Sequence, residues 1–165
     1  MIPEGISLRQ QTDDDLPFAR LLYGSTRAEE MEHFPFNEQQ KVEFLDQQFQ
    51  AQWGEYSRYP NAEFLIIEKG GEPIGRLYLD RLEDDICIID IALLPGHRGG
   101  GVGRALIEEV FDEARGSGRT VSIYVEMYNP ARHLYDRLGF QEIDTVGVYK
   151  KMIWTPDGRR VAPNE

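Results

Sequence analysis

The most constraining stretch of this chain runs from Ile86 to Ala114 and combines a strand, a glycine-rich loop and a helix. An apolar run, ICIIDIALL (residues 86–94), precedes Pro95-Gly96, then RGGGVG (residues 98–103), then an amphipathic segment to Ala114. The first N–H groups of a helix have no partners inside it, and the helix dipole places partial positive charge there. Three consecutive glycines lack the Cβ atoms that would keep a phosphate away from these groups. This order of elements predicts an anion-binding site at the helix N-terminus.

The distribution of charge around the loop favours the same interpretation. The 17 residues from Ile91 to Ile107 contain no Asp or Glu, although 29 such residues in 165 would predict about 3. Arg98 and Arg104 lie inside this window. A plainer alternative is a tight turn whose glycines only bring strand and helix together, and at this point it stays open.

Two familiar nucleotide motifs do not fit the loop. A P-loop requires G-x-x-x-x-G-K-[ST], but Val102 follows Gly101 where the lysine should be. A dinucleotide fingerprint requires G-x-G-x-x-G/A, and from Gly99 its last position is Arg104. Neither a kinase nor a dehydrogenase follows from this loop.

A second motif, NPARHLYDRLGF (residues 129–140), follows the next predicted strand. Together with Arg98-x-x-Gly101-x-Gly103, it resembles the two signature motifs of the GNAT family of N-acetyltransferases. In that family the loop binds the pyrophosphate of acyl-CoA, and an Asn, a Tyr six residues later and a Leu-Gly-Phe mark the second motif. The resemblance covers roughly residues 74–154 and extends to the first half only in the order of elements.

The resemblance implies a fold class. We expect a single α/β domain over residues 1–165, with a central, mixed but mostly antiparallel sheet of about six or seven strands and about four flanking helices. The fourth and fifth strands should splay apart in a V. The Pro-, Gly- and charge-rich residues 156–165 are expected to fray.

Hydrophobic periodicity predicts the individual elements. A capping box at Thr12–Asp15 predicts a helix to about Ser25, and Asn37 is predicted to cap a second helix, with residues 26–36 irregular between them. Strands are predicted at 6–9, 62–68, 74–81, 86–94, 120–125, 141–145 and 148–154, and two later helices at about 102–114 and 130–138, with Gly116, Gly118 and Gly139 as their stops.

Composition limits the classes of partner. A net charge of −11 argues against sequence-independent binding to nucleic acid or to an anionic membrane. The single cysteine, Cys87, excludes an internal disulfide. No secretory leader pattern and no run of ~18 apolar residues occurs, so a cytoplasmic protein is expected.

The resemblance also implies a cofactor site for acetyl-CoA as co-substrate, without a metal. The pyrophosphate would lie on the loop and the pantetheine arm along the central strand, with Asn129 bonding a pantetheine amide or only capping its helix. The cofactor-binding residues implied are Ile91, Ala92, Leu93, Leu94, Arg98, Gly99, Gly100, Gly101, Val102, Gly103, Arg104, Asn129 and Tyr135.

The catalytic residues implied are Tyr135, Glu126 and Asp90. Tyr135 would be the general acid, since a phenol with a pKa near ~10 is protonated at neutral pH and can protonate a thiolate. Glu126 or Asp90 would be the general base, directly or through water. Either carboxylate could instead be structural, bonded to Arg76, Arg81 or a tyrosine.

The implied reaction is direct acetyl transfer in a ternary complex to a primary amine of a small molecule or peptide. The first helices form one wall of the acceptor site in this family, so Glu29, Glu30, Glu32 and His33 are candidates for amine contacts, although a solvated surface loop is the plainer interpretation. A non-catalytic acyl-CoA-binding or sensing module, or a plain phosphate-binding domain, remains the alternative. A homodimer is possible.

Overall fold

The computed structural model describes residues 2–127 and 129–161, without the side chains of Glu29 and Glu30. Its strands are β1 (Ile6–Gln10), β2 (Ala62–Lys69), β3 (Glu72–Arg81), β4 (Asp85–Leu93), β5 (Thr120–Glu126), β6 (Gln141–Val146) and β7 (Tyr149–Trp154). Its helices are α1 (Leu16–Thr26), α2 (Ala28–Glu32), α3 (Glu38–Tyr56), α4 (Val102–Ser117) and α5 (Ala131–Leu138). No helix in this described part of the chain has the length and apolar character needed to cross a membrane.

All seven described strands form one sheet in the order β1-β2-β3-β4-β5-β7-β6. Each neighbouring pair is antiparallel except β4 and β5, which run parallel because α4 connects them across one face. The predicted fold class, a mixed and mostly antiparallel sheet with helices on its faces, is confirmed.

Two predicted boundaries differ from the structure. The sequence predicts residues 26–36 to be irregular, but they contain the short helix α2. Its sequence, Ala-Glu-Glu-Met-Glu, consists of residues with high helix propensity. Gly116 does not end α4 but lies in its last turn, and the stop is Gly118, whose φ of 68° is in the left-handed region.

The helices cover the two faces of the sheet with separate apolar contacts. On one face, α4 and α5 pack against β3, β4 and β5 in the main core, to which α4 contributes Leu106, Ile107 and Phe111. On the other face, α1 and α3 pack against each other through Tyr23 and Phe49. The strand separation described below lies in the sheet between these two layers.

The central strand β4 carries a β-bulge. Tyr78 of β3 pairs with Asp90 and Leu79 pairs with Ile88, so Ile89 is an extra residue. Before the bulge, Ile88 is fully buried in the main core; after it, Leu93 packs against the same core. The bulge therefore shifts the alternation of the strand, and it turns Asp90 towards the opposite face.

The β4–β5 ladder is short. The parallel pairs run only from Asp85–Thr120 to Ile88–Ile123. Beyond this point β4 continues with β3 as far as Leu93, and β5 continues with β7 as far as Glu126. The two strands thus separate after Ile88, which confirms the predicted V-shaped splay between the fourth and fifth strands.

The start of α1 is held by an ion pair with a measurable pH dependence. Both Arg9 Nη atoms donate to the Asp15 carboxylate, at 2.8 and 2.7 Å, and the Thr12 N–H donates to the same carboxylate at 2.8 Å. These hydrogen bonds, the one from Arg9 foremost, lower the pKa of Asp15 from 3.8 to about 2.

We expect Asp15→Asn to lower the free energy of unfolding by about 2 kcal/mol at pH 7, because a lowered pKa stabilises the fold wherever the carboxylate is ionised. The contribution is present above the unfolded-state pKa near 4 and is lost as the pH falls towards about 2. Urea unfolding of both proteins from pH 7 down to pH 3 measures it. A difference that does not shrink on acidification would contradict the assignment.

Candidate active site

The glycine-rich loop leads into α4 as the sequence predicts. Gly99 and Gly101 have φ values of 79° and 87°, in the left-handed region where other residues are strained. Gly101 is the residue before α4, and the N–H of Ala105 is the first to donate to a carbonyl of the helix, that of Gly101, at 3.0 Å. The earlier N–H groups of α4 are therefore available to an anion.

Two other glycines of the loop test whether a pyrophosphate fits there. A Cβ at Gly100 would meet no atom within 4 Å, and a Cβ at Gly103 would meet only Leu93 Cδ1 at 3.9 Å. Neither residue has a positive φ. Because neither conformation nor packing within the chain requires glycine at these positions, they suit a surface that a phosphate approaches closely.

The two arginines of the loop are held by their own chain. Arg98 Nε donates to the Leu93 carbonyl at 2.9 Å, and this bond ties the loop to the end of β4. Arg104 Nε donates to Glu108 one turn later in α4, at 3.1 Å. The second pair is exposed, and Glu108 offsets the charge of Arg104, whereas the bond of Arg98 to a carbonyl leaves its charge in place.

Asn129 caps α5 through its side chain. Its Oδ1 accepts a hydrogen bond from the N–H of Ala131 at 2.9 Å, and α5 begins at Ala131, one residue after the Pro130 predicted as its first position. The capping role is observed. A bond from Asn129 to pantetheine remains a prediction.

Tyr135 lies on α5 at the main core and is 6% exposed. Its ring packs edge-on against Phe140 with centroids 5.8 Å apart. Burial raises the pKa of the Tyr135 phenol, and the negative charge of Asp90 raises it further. The raised pKa keeps the phenol protonated at neutral pH, as the predicted role of general acid requires.

Asp90 is ion-paired with Arg76 of β3, one of the partners that the sequence suggests. Arg76 is 4% exposed, donates to Gln52 of α3 at 3.1 Å and lies over the Tyr78 ring at 5.1 Å. The Asp90 side chain keeps 24% of its surface exposed. Asp90 is therefore a held carboxylate that still reaches solvent.

Glu126, at the end of β5, is paired with Arg27. Arg27 Nη1 donates to Oε2 at 3.0 Å and Nη2 lies 2.7 Å from Oε1, so both carboxylate oxygens are engaged. Arg27 follows α1 and also lies over the Tyr23 ring at 5.5 Å. No pattern in the sequence predicts this contact, because its partners are 99 residues apart.

Helix α1 contacts α2, α3 and the strands β3 and β4. Tyr56 of α3 was not predicted as a site residue; burial raises its pKa, and the charge of Asp90 raises it further. Its ring lies at right angles to that of Tyr78, 5.7 Å away. Glu32 and His33 are exposed, whereas the side chains of Glu29 and Glu30 lie outside the described residues.

Comparison with known proteins agrees with this geometry. The protein-family model described as the acetyltransferase (GNAT) family matches residues 25–140 of this chain. A Haemophilus influenzae relative, named ribosomal protein bS18 alanine N-acetyltransferase, is 29% identical over 104 residues, 62% of this chain and 67% of the relative. A Bacillus subtilis relative, to which the same activity is provisionally assigned, is 30% identical over 118 residues, 67% of this chain and 76% of its own.

The fold agrees as well. The crystal structure of the PaiA N-acetyltransferase of Thermoplasma acidophilum in complex with coenzyme A matches with a TM-score of 0.68 at 18% identity, covering 91% of this chain and 98% of that one. The family match contains the splay, the glycine-rich loop, α4 and α5. This chain belongs to the acetyltransferase (GNAT) family.

Proposed function

We propose that the protein transfers an acetyl group from acetyl-CoA to a primary amine of a peptide or small molecule, by direct attack in a ternary complex. The observation that carries this proposal is the unpaired edge of β4 after Ile88, which lies next to the N-terminus of α4. An extended ligand with amide groups and a pyrophosphate at one end suits such a site, because a strand edge pairs with amides and a helix N-terminus binds phosphate.

In this proposal acetyl-CoA supplies an activated acyl group as a thioester. The N–H groups between Arg98 and Arg104 hold the pyrophosphate, and the backbone of Ile91–Leu94 bonds the amides of the pantetheine arm. Tyr135 protonates the departing thiolate. Its buried phenol keeps its proton at neutral pH because burial raises its pKa.

We propose Asp90 rather than Glu126 as the base that deprotonates the amine, through a water molecule. Arg27 contacts both oxygens of Glu126, whereas the ion pair of Arg76 is with Oδ2 of Asp90. The distinction lies in the paired oxygens, because Glu126 is the more exposed side chain, 37% against 24%. On this view Glu126 and Arg27 shape the acceptor site.

Asp90→Asn is expected to lower kcat/KM by about 100-fold, a common loss when a general base is removed, whereas Glu126→Gln mainly raises KM for the amine. Loss of the Asp90 charge also lowers the pKa of Tyr135. Burial is the larger cause of the raised pKa and does not change in this variant, so the profile should still show no alkaline limb from Tyr135 below about pH 10. Steady-state kinetics from pH 6 to pH 10 measure both effects, and thermal melts confirm folding. Normal turnover in Asp90→Asn with a loss in Glu126→Gln would reverse the assignment.

The acceptor screen should begin with peptides. The Haemophilus relative is named for an alanine of a ribosomal protein, and the net charge of −11 favours a cationic acceptor over an anionic one. Small primary amines form the second group of the screen.

The first experiment is calorimetric titration with acetyl-CoA, using ATP and NADH as controls. Selective binding of acetyl-CoA, followed by amine-dependent release of free CoA, is the expected result. No binding by the folded protein would overturn the proposal, and binding without turnover on any amine would favour a sensing module. Labelled acetyl-CoA that leaves a covalent acetyl group on the protein without acceptor would exclude direct transfer.

A further inference from the structure

We infer that Gly75 of β3 is a positioning residue for acyl-CoA, because it sets where the free part of β4 lies. This inference rests on the proposed function. Gly75 is buried and pairs with Ile67 of β2 on one side and with Leu93 of β4 on the other. A glycine inside a strand weakens it unless a neighbouring backbone needs the space.

At Gly75 the neighbouring backbone takes that space. A Cβ there would lie 2.3 Å from the Ala92 carbonyl oxygen and 2.8 Å from Leu93 Cδ2, closer than the 3.0 Å below which real Cβ contacts essentially never occur. Gly75 has no positive φ, so its conformation alone does not require glycine. The contact with β4 is therefore what requires it, and any larger residue must displace backbone.

Leu93 connects this contact to the glycine-rich loop. Its Cδ2 faces Gly75, while its Cδ1 lies 3.9 Å from the position of a Cβ on Gly103 in the first turn of α4. The Leu93 carbonyl also accepts the hydrogen bond from Arg98. The Leu93 side chain is thus a spacer between two glycines, and it fixes the distance between the strand proposed for pantetheine and the loop proposed for pyrophosphate.

A Cβ at Gly75 could displace β4 in only one direction. On its β3 side, β4 is held by the ladder that continues to the Leu94 N–H, bonded to the Ile74 carbonyl at 2.8 Å. On the other side, the β4–β5 pairs end at Ile88. A Cβ at Gly75 would therefore push Ala92 and Leu93 towards the cleft. The strand and the loop would then no longer match the two ends of one ligand.

The test compares the affinity for the whole ligand with the affinity for its nucleotide end alone. Gly75→Ala should raise the Kd for acetyl-CoA by about 10-fold, since a mismatch at the strand loses the equivalent of one or two hydrogen bonds. It should leave the Kd for 3′-phospho-ADP, the nucleotide part of CoA, within about twofold, because the loop and α4 are intact. Calorimetric titration of each ligand into each protein gives the ratio directly, and an unchanged fragment affinity also shows that the variant is folded.

Gly116→Ala is the matched control, because a Cβ there meets no atom within 4 Å and the site lies in the last turn of α4. It should bind both ligands like the wild type. If Gly75→Ala does not fold, Leu93→Ala tests the same spacing and should weaken acetyl-CoA but not 3′-phospho-ADP.

Three results would overturn the inference. Wild-type affinity for acetyl-CoA in Gly75→Ala, or in Leu93→Ala where that variant replaces it, shows that the contact does not position the ligand. An equal loss of both ligands shows general damage instead of a change in spacing. A wild-type protein that binds neither ligand overturns the proposed function, and this inference with it.

Discussion

Tyr135→Phe is expected to reduce kcat by about 100- to 1,000-fold, the usual contribution of a general acid, with the Kd for acetyl-CoA nearly unchanged. The substitution removes only the hydroxyl, so the ring keeps its place in the core and its contact with Phe140. The wild-type profile should also show no alkaline limb from Tyr135 below about pH 10, because burial and the charge of Asp90 both raise its pKa above the ordinary value. Steady-state kinetics with an identified amine measure the effect.

Tyr124→Phe provides the matched control for this prediction. It makes the same chemical change on β5, where the Tyr124 side chain is 41% exposed and packs under Lys151. Its kcat should equal that of the wild type. If Tyr135→Phe keeps full turnover, another group or water protonates the leaving thiolate. If wild type and variant are both inactive with every amine, the sensing module becomes the better interpretation.

Gly100→Asp is expected to weaken acetyl-CoA binding by at least about 100-fold, because like charges brought together cost several kcal/mol. The unfolding temperature should stay close to that of the wild type, since a Cβ at Gly100 meets no atom within 4 Å and the residue has no positive φ. The carboxylate would stand where the pyrophosphate is proposed to bind. Titration calorimetry and a thermal melt measure the two quantities.

Gly96→Asp separates a local effect from a general one. Gly96 is exposed, a Cβ there also meets no atom within 4 Å, and the new charge would lie in the short turn between β4 and the loop. We expect a loss of less than about tenfold, which added salt largely removes by screening. Equal losses in the two variants would mean that the loop attracts anions only through its overall field. If neither variant loses affinity for acetyl-CoA, the glycines serve only to form the turn between β4 and α4.

Much of the fold could be predicted because its signals are local. The β4–loop–α4 unit, the Thr12–Asp15 capping box and the Asn37 cap each depend on residues a few positions apart, and the structure confirms all three. The short helix α2 was missed because a single turn has too few residues for a periodic pattern.

The bulge at Ile89 could not be predicted either, since it depends on the register with β3. From alternation alone, Asp90 shares a face with Ile86 and Ile88, and a charge in the main core would be the consequence. One extra residue in the strand turns it to Arg76 instead. A polar residue that breaks an apolar strand is thus a signal that the register changes nearby.

Site residues that depend on long-range contacts were the hardest to predict. Arg27 meets Glu126 across 99 positions, and nothing in the sequence around either residue marks the pair. Gly75 did carry a signal, because a lone glycine within a strand pattern indicates close approach of another backbone, although the sequence does not identify that backbone.

The β4–β5 ladder stops partway along β4, at Ile88. The stability of the fold therefore depends on whether a ligand pairs with the part of β4 beyond it. A ligand that pairs with the free edge of β4 binds the folded chain and not the unfolded one. By mass action it adds RT ln(1 + [L]/Kd) to the free energy of unfolding, about 2.7 kcal/mol at a concentration 100 times Kd. If the ligand is the proposed acyl-CoA, resistance to heat and proteolysis rises with the logarithm of its concentration once that exceeds Kd.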